Sequence, residues 1–327
     1  LSSPEIRIDQ LTGLRTILAP GRADRPGGFK PLRSEEKGAE NCPFCEGRED
    51  RTPPEVYATR PGGGEPDTPG WTTRVVPNLY PALGEGEDAP RPDSAPELFA
   101  SRPAVGGHEV VVNAPRHATA MAELDGEQLA AAVATWRERM RAHDGASYVQ
   151  LVVNEGAGAG ASLPHTHAQL YALPFVPATV ARERERAGAY AERTTGGGLL
   201  ADVLVEEVRR KERLVAIDDD AALICPWASR SPYELRIVPR RPEASFAGDT
   251  AGVAMLGTAL RLLAARFDGP PELNLWVRTA PRGVEEFHWH LDIAPRLTTK
   301  AGFEFGTGVD IVVYPPERAA ADLRECL

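Results

Sequence analysis

The sequence predicts an α+β protein in which one strand–helix–strand–strand unit occurs twice. Three observations carry that expectation. Short β-branched or apolar runs that end at proline or glycine read as strands, among them Glu109–Asn113 and Tyr148–Asn154. Between them, apolar residues three or four positions apart mark amphipathic helices. The elements of the first half then reappear in the second half 123 to 125 residues later, from Glu109 to Glu234, Trp136 to Leu260 and His165 to His288. A nearly constant shift over several elements is most simply an internal duplication.

In chain order, the region from Ala23 to Leu98 is punctuated by proline and glycine, with clusters at Pro61-Gly62-Gly63-Gly64 and Pro90 to Pro96. It is expected to hold short strands and long loops. The strand Glu109–Asn113 stops before Pro115. Asp125 caps a helix to about Arg141, whose apolar face is Leu129, Val133, Trp136 and Met140. The strand Tyr148–Asn154 leads into a Gly/Ala loop, Gly156 to Gly160, and a strand through His165 to Leu173 closes the unit. Two charged helices follow, about Ala178–Arg193 and Ala201–Arg213, split by Thr194-Thr195-Gly196-Gly197-Gly198. The second unit has a strand at Tyr233–Pro239 and a helix with Val253, Leu256, Leu260, Leu263 and Phe267 on one face. A strand at Leu273–Arg278 and the segment His288-Trp289-His290 complete it.

Composition narrows the function. The chain has 327 residues, 42% hydrophobic and 26% charged, which suits an ordinary globular protein with a real core. Its 47 acidic and 37 basic side chains leave a net charge of −10. That balance argues against a partner held by bulk electrostatics, so neither a nucleic acid nor an anionic membrane is expected. No apolar run approaches the roughly 18 residues of a membrane helix, and Leu1–Asp9 does not read as a signal peptide. A cytoplasmic enzyme is the expectation. Four cysteines are too few for a disulfide scaffold.

The strongest chemical feature is Ser162-Leu163-Pro164-His165-Thr166-His167-Ala168-Gln169. On a strand, His165, His167 and Gln169 project from one face. A neutral imidazole there can attack phosphorus and carry a covalent phosphoryl group, and the Gln169 amide can donate to the non-bridging oxygens. The plainer alternative is a polar strand edge or a metal site without catalytic consequence. Cys42-Pro43-Phe44-Cys45 has the spacing of a zinc knuckle, with a redox dithiol as the alternative. A closed zinc site needs two further ligands, and His108, His117, His143 and His165 are the candidates.

These residues resemble the galactose-1-phosphate uridylyltransferases and their relatives in the histidine-triad superfamily. The resemblance spans nearly the whole chain. It runs through Leu11-Thr12-Gly13, Ala19 to Pro26, Cys42 to Cys45 with Thr52-Pro53-Pro54-Glu55, and Arg74 to Asn78. It continues through Pro115-Arg116-His117, Asn154 to Gln169, His288-Trp289-His290 and Gly302 to Gly308. It implies a duplicated histidine-triad-like unit with antiparallel sheets flanked by helices. Residues 1–195 would form the N-terminal unit with the knuckle and the catalytic motif, and 196–327 the C-terminal repeat. His167 matches the nucleophile and Gln169 the phosphate-contacting glutamine. Cys42, Cys45, His117 and His165 match zinc ligands, and Arg22, Arg25, Asn78, Asn154 and Ser162 match nucleotide or phosphate contacts. Glu183, His288 and His290 match three ligands of a second metal site for iron or zinc, whose remaining histidine is absent near Thr279 to Gly283.

The activity so implied is transfer of a nucleoside monophosphate from a nucleoside-diphosphate sugar, UDP-glucose, to a sugar 1-phosphate such as galactose 1-phosphate. Two alternatives stay open. One is a phosphorylase acting on an ADP-sugar or diadenosine polyphosphate with inorganic phosphate as acceptor; Leu163 and Ala168, which depart from the family pattern, leave base and acceptor undecided. The other is a non-catalytic, zinc-stabilised nucleotide-binding protein. The resemblance also implies a homodimer, each site completed by a stretch like Lys300 to Asp310 of the other subunit.

Overall fold

A computed structural model describes residues 3–22, 38–84 and 98–327. Arg25 and the Pro90–Pro96 cluster lie outside the described residues. The chain begins with β1 (Glu5–Ile8) and β2 (Arg15–Leu18), then β3 (Tyr57–Thr59) and β4 (Thr73–Pro77). The first repeat follows as β5 (Gly107–Val112), α1 (Gly126–Ala142), β6 (Tyr148–Glu155) and β7 (His167–Leu173). Asp125 caps α1 as expected, its carboxylate accepting from Gln128 N at 2.8 Å. The helices α2 (Ala178–Thr194) and α3 (Leu199–Arg210) lead to β8 (Leu214–Ile217) and β9 (Ala221–Ile224). The second repeat is β10 (Leu235–Pro239), α4 (Val253–Arg266), β11 (Leu273–Arg278) and β12 (His290–Pro295), and α5 (Gly302–Thr307), β13 (Asp310–Val312) and α6 (Pro316–Arg324) end the chain.

Ten strands form one sheet in the order β3-β4-β5-β7-β6-β11-β12-β10-β9-β8, with antiparallel pairing throughout. The triplet β5-β7-β6 is mirrored by β10-β12-β11, and the two copies meet where Asn154 pairs with Asn274 across β6 and β11. The sequence repeat is therefore a repeat in space. The boundary at 195/196 falls at the turn between α2 and α3. A small second sheet, β1-β2-β13, departs from the antiparallel expectation, since β13 runs parallel to β2.

The two faces of the large sheet have different fates. On one face, α1 and α4 bury Leu129, Val133, Trp136, Leu256, Leu260 and Leu263 against Leu151, Val153, Ala168, Leu170 and their counterparts Leu275 and Ile293. On the other face, the second repeat is covered by α2, which brings Glu183 to His290 of β12, and by α3, which packs Leu200 and Leu204 on Ala222, Ile224 and Val238. Among the described residues, the first repeat carries no such helix there. Cys42, Phe44 and Leu163 pack on Val110 and Val112 instead, and the rest of that face is left to polar side chains. No helix among the described residues is long and apolar enough to cross a membrane.

Candidate functional site

Both His-x-His segments begin a strand at their second histidine, His167 in β7 and His290 in β12. His165 therefore lies in the turn before the strand, not on its face as the alternation predicts. Pro164 and the bond from Thr166 N to the Ala118 carbonyl (2.7 Å) end the regular ladder there. Freed from the strand, the His165 ring turns toward the cysteines.

Cys42, Cys45, His117 and His165 come together, their ligand atoms all within 4.8 Å of one another. Sγ of Cys42 is 3.4 Å from Nδ1 of His165, and Sγ of Cys45 is 3.5 Å from Nδ1 of His117 and 3.8 Å from Nδ1 of His165. A tetrahedral zinc ion with ordinary bond lengths would set its sulfur and nitrogen ligands about 3.5 Å apart. The donor set fits such an ion. His165 donates its Nε2–H to the Ala114 carbonyl at 2.9 Å, so its Nδ1 lone pair faces the sulfurs. Burial and the neighbouring Cys42 push the Cys45 thiol up to about 11, a shift that a bound dication would reverse. The other two candidates are engaged elsewhere: His143 meets Glu109 at 2.8 Å, and His108 lies beside Gln169.

His167 is 6% exposed. It donates Nδ1–H to the His165 carbonyl at 2.6 Å, which leaves Nε2 as the lone-pair nitrogen. Burial lowers its pKa below the ordinary histidine value, so the ring is neutral at pH 7. Phe44, the third residue of the knuckle, meets the ring edge-on with centroids 5.2 Å apart. Behind it, Thr166 accepts from Asn113 Nδ2 at 3.1 Å and donates to Glu155 at 3.0 Å, while Asn113 Oδ1 accepts from Trp136 Nε1 at 2.9 Å. The backbone that aims His167 is thus fixed from below by a buried polar network.

Gln169 and Tyr171 follow His167 on the same face of β7, and the paired positions on β5 place His108 opposite Tyr171. The His108 and Tyr171 rings stack at 4.1 Å. Gln169 Oε1 lies 3.1 Å from His108 Nε2 and accepts from the Tyr171 hydroxyl at 2.8 Å. Asn78 Nδ2 is 3.1 Å from the same His108 nitrogen. Asn154 follows Val153, which pairs with Ala168, and so sits level with His167 on the next strand. Gln169, Asn78 and Asn154 thus share one neighbourhood with His167. Ser162 is exposed on the turn before His165, and Arg22 is exposed at the end of the short turn Pro20–Arg22. The sequence reading missed Tyr171, legible from period two, and Asn274, which only the junction between the repeats brings to the site.

The second expected metal set is not assembled. His288 donates Nε2–H to the Pro239 carbonyl at 2.9 Å. Glu183 lies 3.7 Å from His290 and 3.3 Å from the Arg278 guanidinium. Arg236 pairs with Asp292 at 2.7 Å in the same cluster. Among the described residues, the one cluster able to hold a metal is the two-cysteine, two-histidine set. Two guanidinium groups, those of Arg278 and Arg236, supply positive charge to the carboxylates of this cluster.

A bare imidazole nitrogen flanked by amide side chains, on a duplicated histidine-triad-like sheet, is the arrangement of the nucleotidyltransferase and phosphorylase class of enzymes. The family model for "Galactose-1-phosphate uridyl transferase, N-terminal domain" matches residues 2–177, and the chain belongs to this family. It is 33% identical to an ADP-glucose phosphorylase of Arabidopsis thaliana, over 99% of this chain and 93% of that protein. It is 28% identical to a galactose-1-phosphate uridylyltransferase of Thermotoga maritima, over 98% of each. A crystal structure of the Arabidopsis phosphorylase with bound ADP-glucose superposes with a TM-score of 0.82 at 29% identity, covering 99% of both chains.

Proposed function

We propose that this protein moves a nucleoside monophosphate through a covalent nucleotidyl-histidine at His167. The observation that carries the reading is the bond from His167 Nδ1–H to the His165 carbonyl, which leaves Nε2 unprotonated at the start of the strand. In the first step Nε2 attacks the α-phosphorus of a nucleoside-diphosphate sugar; the bond from that phosphorus to the bridging oxygen breaks, and sugar 1-phosphate leaves. In the second step an acceptor oxygen attacks the same phosphorus, the P–N bond breaks, and the neutral imidazole is restored. Asn154 and Gln169 donate to the non-bridging oxygens as charge builds on them. Asn78, Ser162, Arg22 and Arg25 remain nucleotide or phosphate contacts of this proposal. Zinc, held by Cys42, Cys45, His117 and His165, would be structural.

Two donor–acceptor pairs fit this chemistry. ADP-glucose with inorganic phosphate is favoured by the 33% identity to a phosphorylase across nearly the full chain. UDP-glucose with galactose 1-phosphate is supported by the family as a whole. A homodimer belongs to the same reading. The Lys300–Asp310 ion pair at 2.6 Å closes a segment that turns Phe303 and Phe305 to solvent, where a second subunit would receive them. Negative charge, free thiols and the phosphate-sugar substrates suit a reducing cytoplasm.

The test is intact mass after mixing the enzyme with ADP-glucose or UDP-glucose and no acceptor. An added AMP or UMP names the base, and its loss on adding phosphate or galactose 1-phosphate names the acceptor. His167→Ala should abolish the label. A label that persists in that variant, or no label from any nucleoside-diphosphate sugar, overturns the reading.

A further inference from the structure

Asn154 and Gln169 flank His167, and an amide can present either its oxygen or its NH2 group. Which end faces a ligand decides whether the site attracts or repels a phosphate. The structure determines both orientations through two backbone groups, the Ala159 carbonyl, which can only accept, and the Ala82 N–H, which can only donate.

Asn274, on β11 of the second repeat, places Nδ2 2.8 Å from the Ala159 carbonyl oxygen and 2.7 Å from Asn154 Oδ1. A carbonyl only accepts, so the Asn274 atom facing it is the NH2 group. That group's second hydrogen goes to Asn154, which must meet it with oxygen and turn its own NH2 away. Gln169 is settled in the same way. The backbone N–H of Ala82 donates to His108 Nδ1 at 3.0 Å, so His108 carries its proton on Nε2, and the Asn78 NH2 group 3.1 Å from that nitrogen makes no hydrogen bond to it. That proton and the Tyr171 hydroxyl both reach Gln169 Oε1, at 3.1 and 2.8 Å, occupying its two lone pairs. Only the NH2 group of Gln169 remains to meet a ligand.

The Gly/Ala loop beside Asn154 is shaped by the same neighbour. Gly158 N donates to Glu272 at 2.8 Å, and Gly156, at φ +86°, lies so close to the Glu272 side chain that a Cβ would overlap it. The second repeat thus builds part of the first repeat's site.

We infer that Asn274, His108 and Tyr171 are positioning residues that hold Asn154 and Gln169 as a donor-only cradle for the phosphates of a nucleoside diphosphate. The inference deepens the proposed function and rests on its placement of the ligand at His167. It leads to a binding test that needs no covalent step.

The experiment is calorimetric titration of the full chain with ADP, and with adenosine as the control lacking phosphate. Asn274→Ala should weaken ADP binding about tenfold and Tyr171→Phe about fivefold, in keeping with the loss of an oriented hydrogen-bond donor to a charged group. Adenosine binding should not change. In the Asn154→Ala background Asn274→Ala should cost nothing further, and in Gln169→Ala the same should hold for Tyr171→Phe. Penalties of equal size in both backgrounds, equal losses for adenosine and ADP, or unchanged ADP affinity would each overturn the inference. Labelling of His167 is scored separately. Absence of the label with the ADP couplings intact refutes the covalent mechanism and leaves the cradle standing.

Discussion

His165 donates its ring proton to Ala114 and offers its backbone carbonyl to the His167 ring at 2.6 Å, while its Nδ1 lies 3.4 Å from Cys42 Sγ. One residue therefore joins the cysteine cluster to the imidazole two positions later. Phe44 makes a second link, since it sits between the two cysteines and touches the His167 ring. A change in the cluster should reach His167 through both routes.

One zinc ion per chain is expected by atomic emission, held by Cys42, Cys45, His117 and His165. Cys42→Ser should lower zinc content and reduce the melting temperature by at least about 5 °C, because the ion ties the knuckle to two further chain segments, those of His117 and His165. The rate of His167 labelling should fall with it. Full stability in a zinc-free preparation would remove the structural role.

Gln169 should separate transfer from hydrolysis. An amide can hold phosphoryl oxygens but cannot shuttle a proton at neutral pH as an imidazole can. With donor alone, quenched-flow measurement should show a burst of sugar 1-phosphate near one per active site, then slow turnover. Gln169→His should speed the slow phase. Fast, sustained hydrolysis by the unsubstituted enzyme would place the chain on the hydrolase side of the superfamily.

Arg278 stands where the second metal set was expected, against the buried Glu183. Arg278→Ala removes the nearest positive charge from a carboxyl whose pKa burial already raises to about 7, and should cost about 1–2 kcal/mol in urea unfolding. Replacing both residues, with Arg278→Met and Glu183→Gln, should recover most of the loss. The parent should still bind one metal per chain; a second tightly held ion would contradict the guanidinium account.

Glu155 is fully buried, and burial raises its pKa from 4.5 to about 7. Its protonated form is thus the one the fold prefers. This contribution is complete below pH 4.5 and is lost as pH rises through 7, amounting to about 3 kcal/mol. Unfolding free energy should fall between pH 5 and pH 7.5, and Glu155→Gln should flatten that slope. An unchanged slope in the variant would assign the dependence to other groups.

Much of this protein was determined by sequence alone. The capped helix at Asp125, the apolar faces of α1 and α4 and the limits of β11 follow from local periodicity and turn chemistry, which depend on neighbours three or four residues away. The repeat follows from comparing the chain with itself, and the chemistry of His167 from residue types at fixed spacing. Tertiary structure decided the rest. Whether His165 faced the strand or the cysteines depended on where the ladder stopped, which a distant carbonyl at Ala118 determines. His108 changed from a candidate zinc ligand to a partner of Gln169 because cross-strand register, invisible in one strand's sequence, set it opposite Tyr171. Arg278 met Glu183 because α2 covers that face of the second repeat, and Asn274 met Asn154 because β11 joins the two repeats in one sheet. Contacts between residues far apart in the sequence are written in pairing and burial, and no local pattern encodes them.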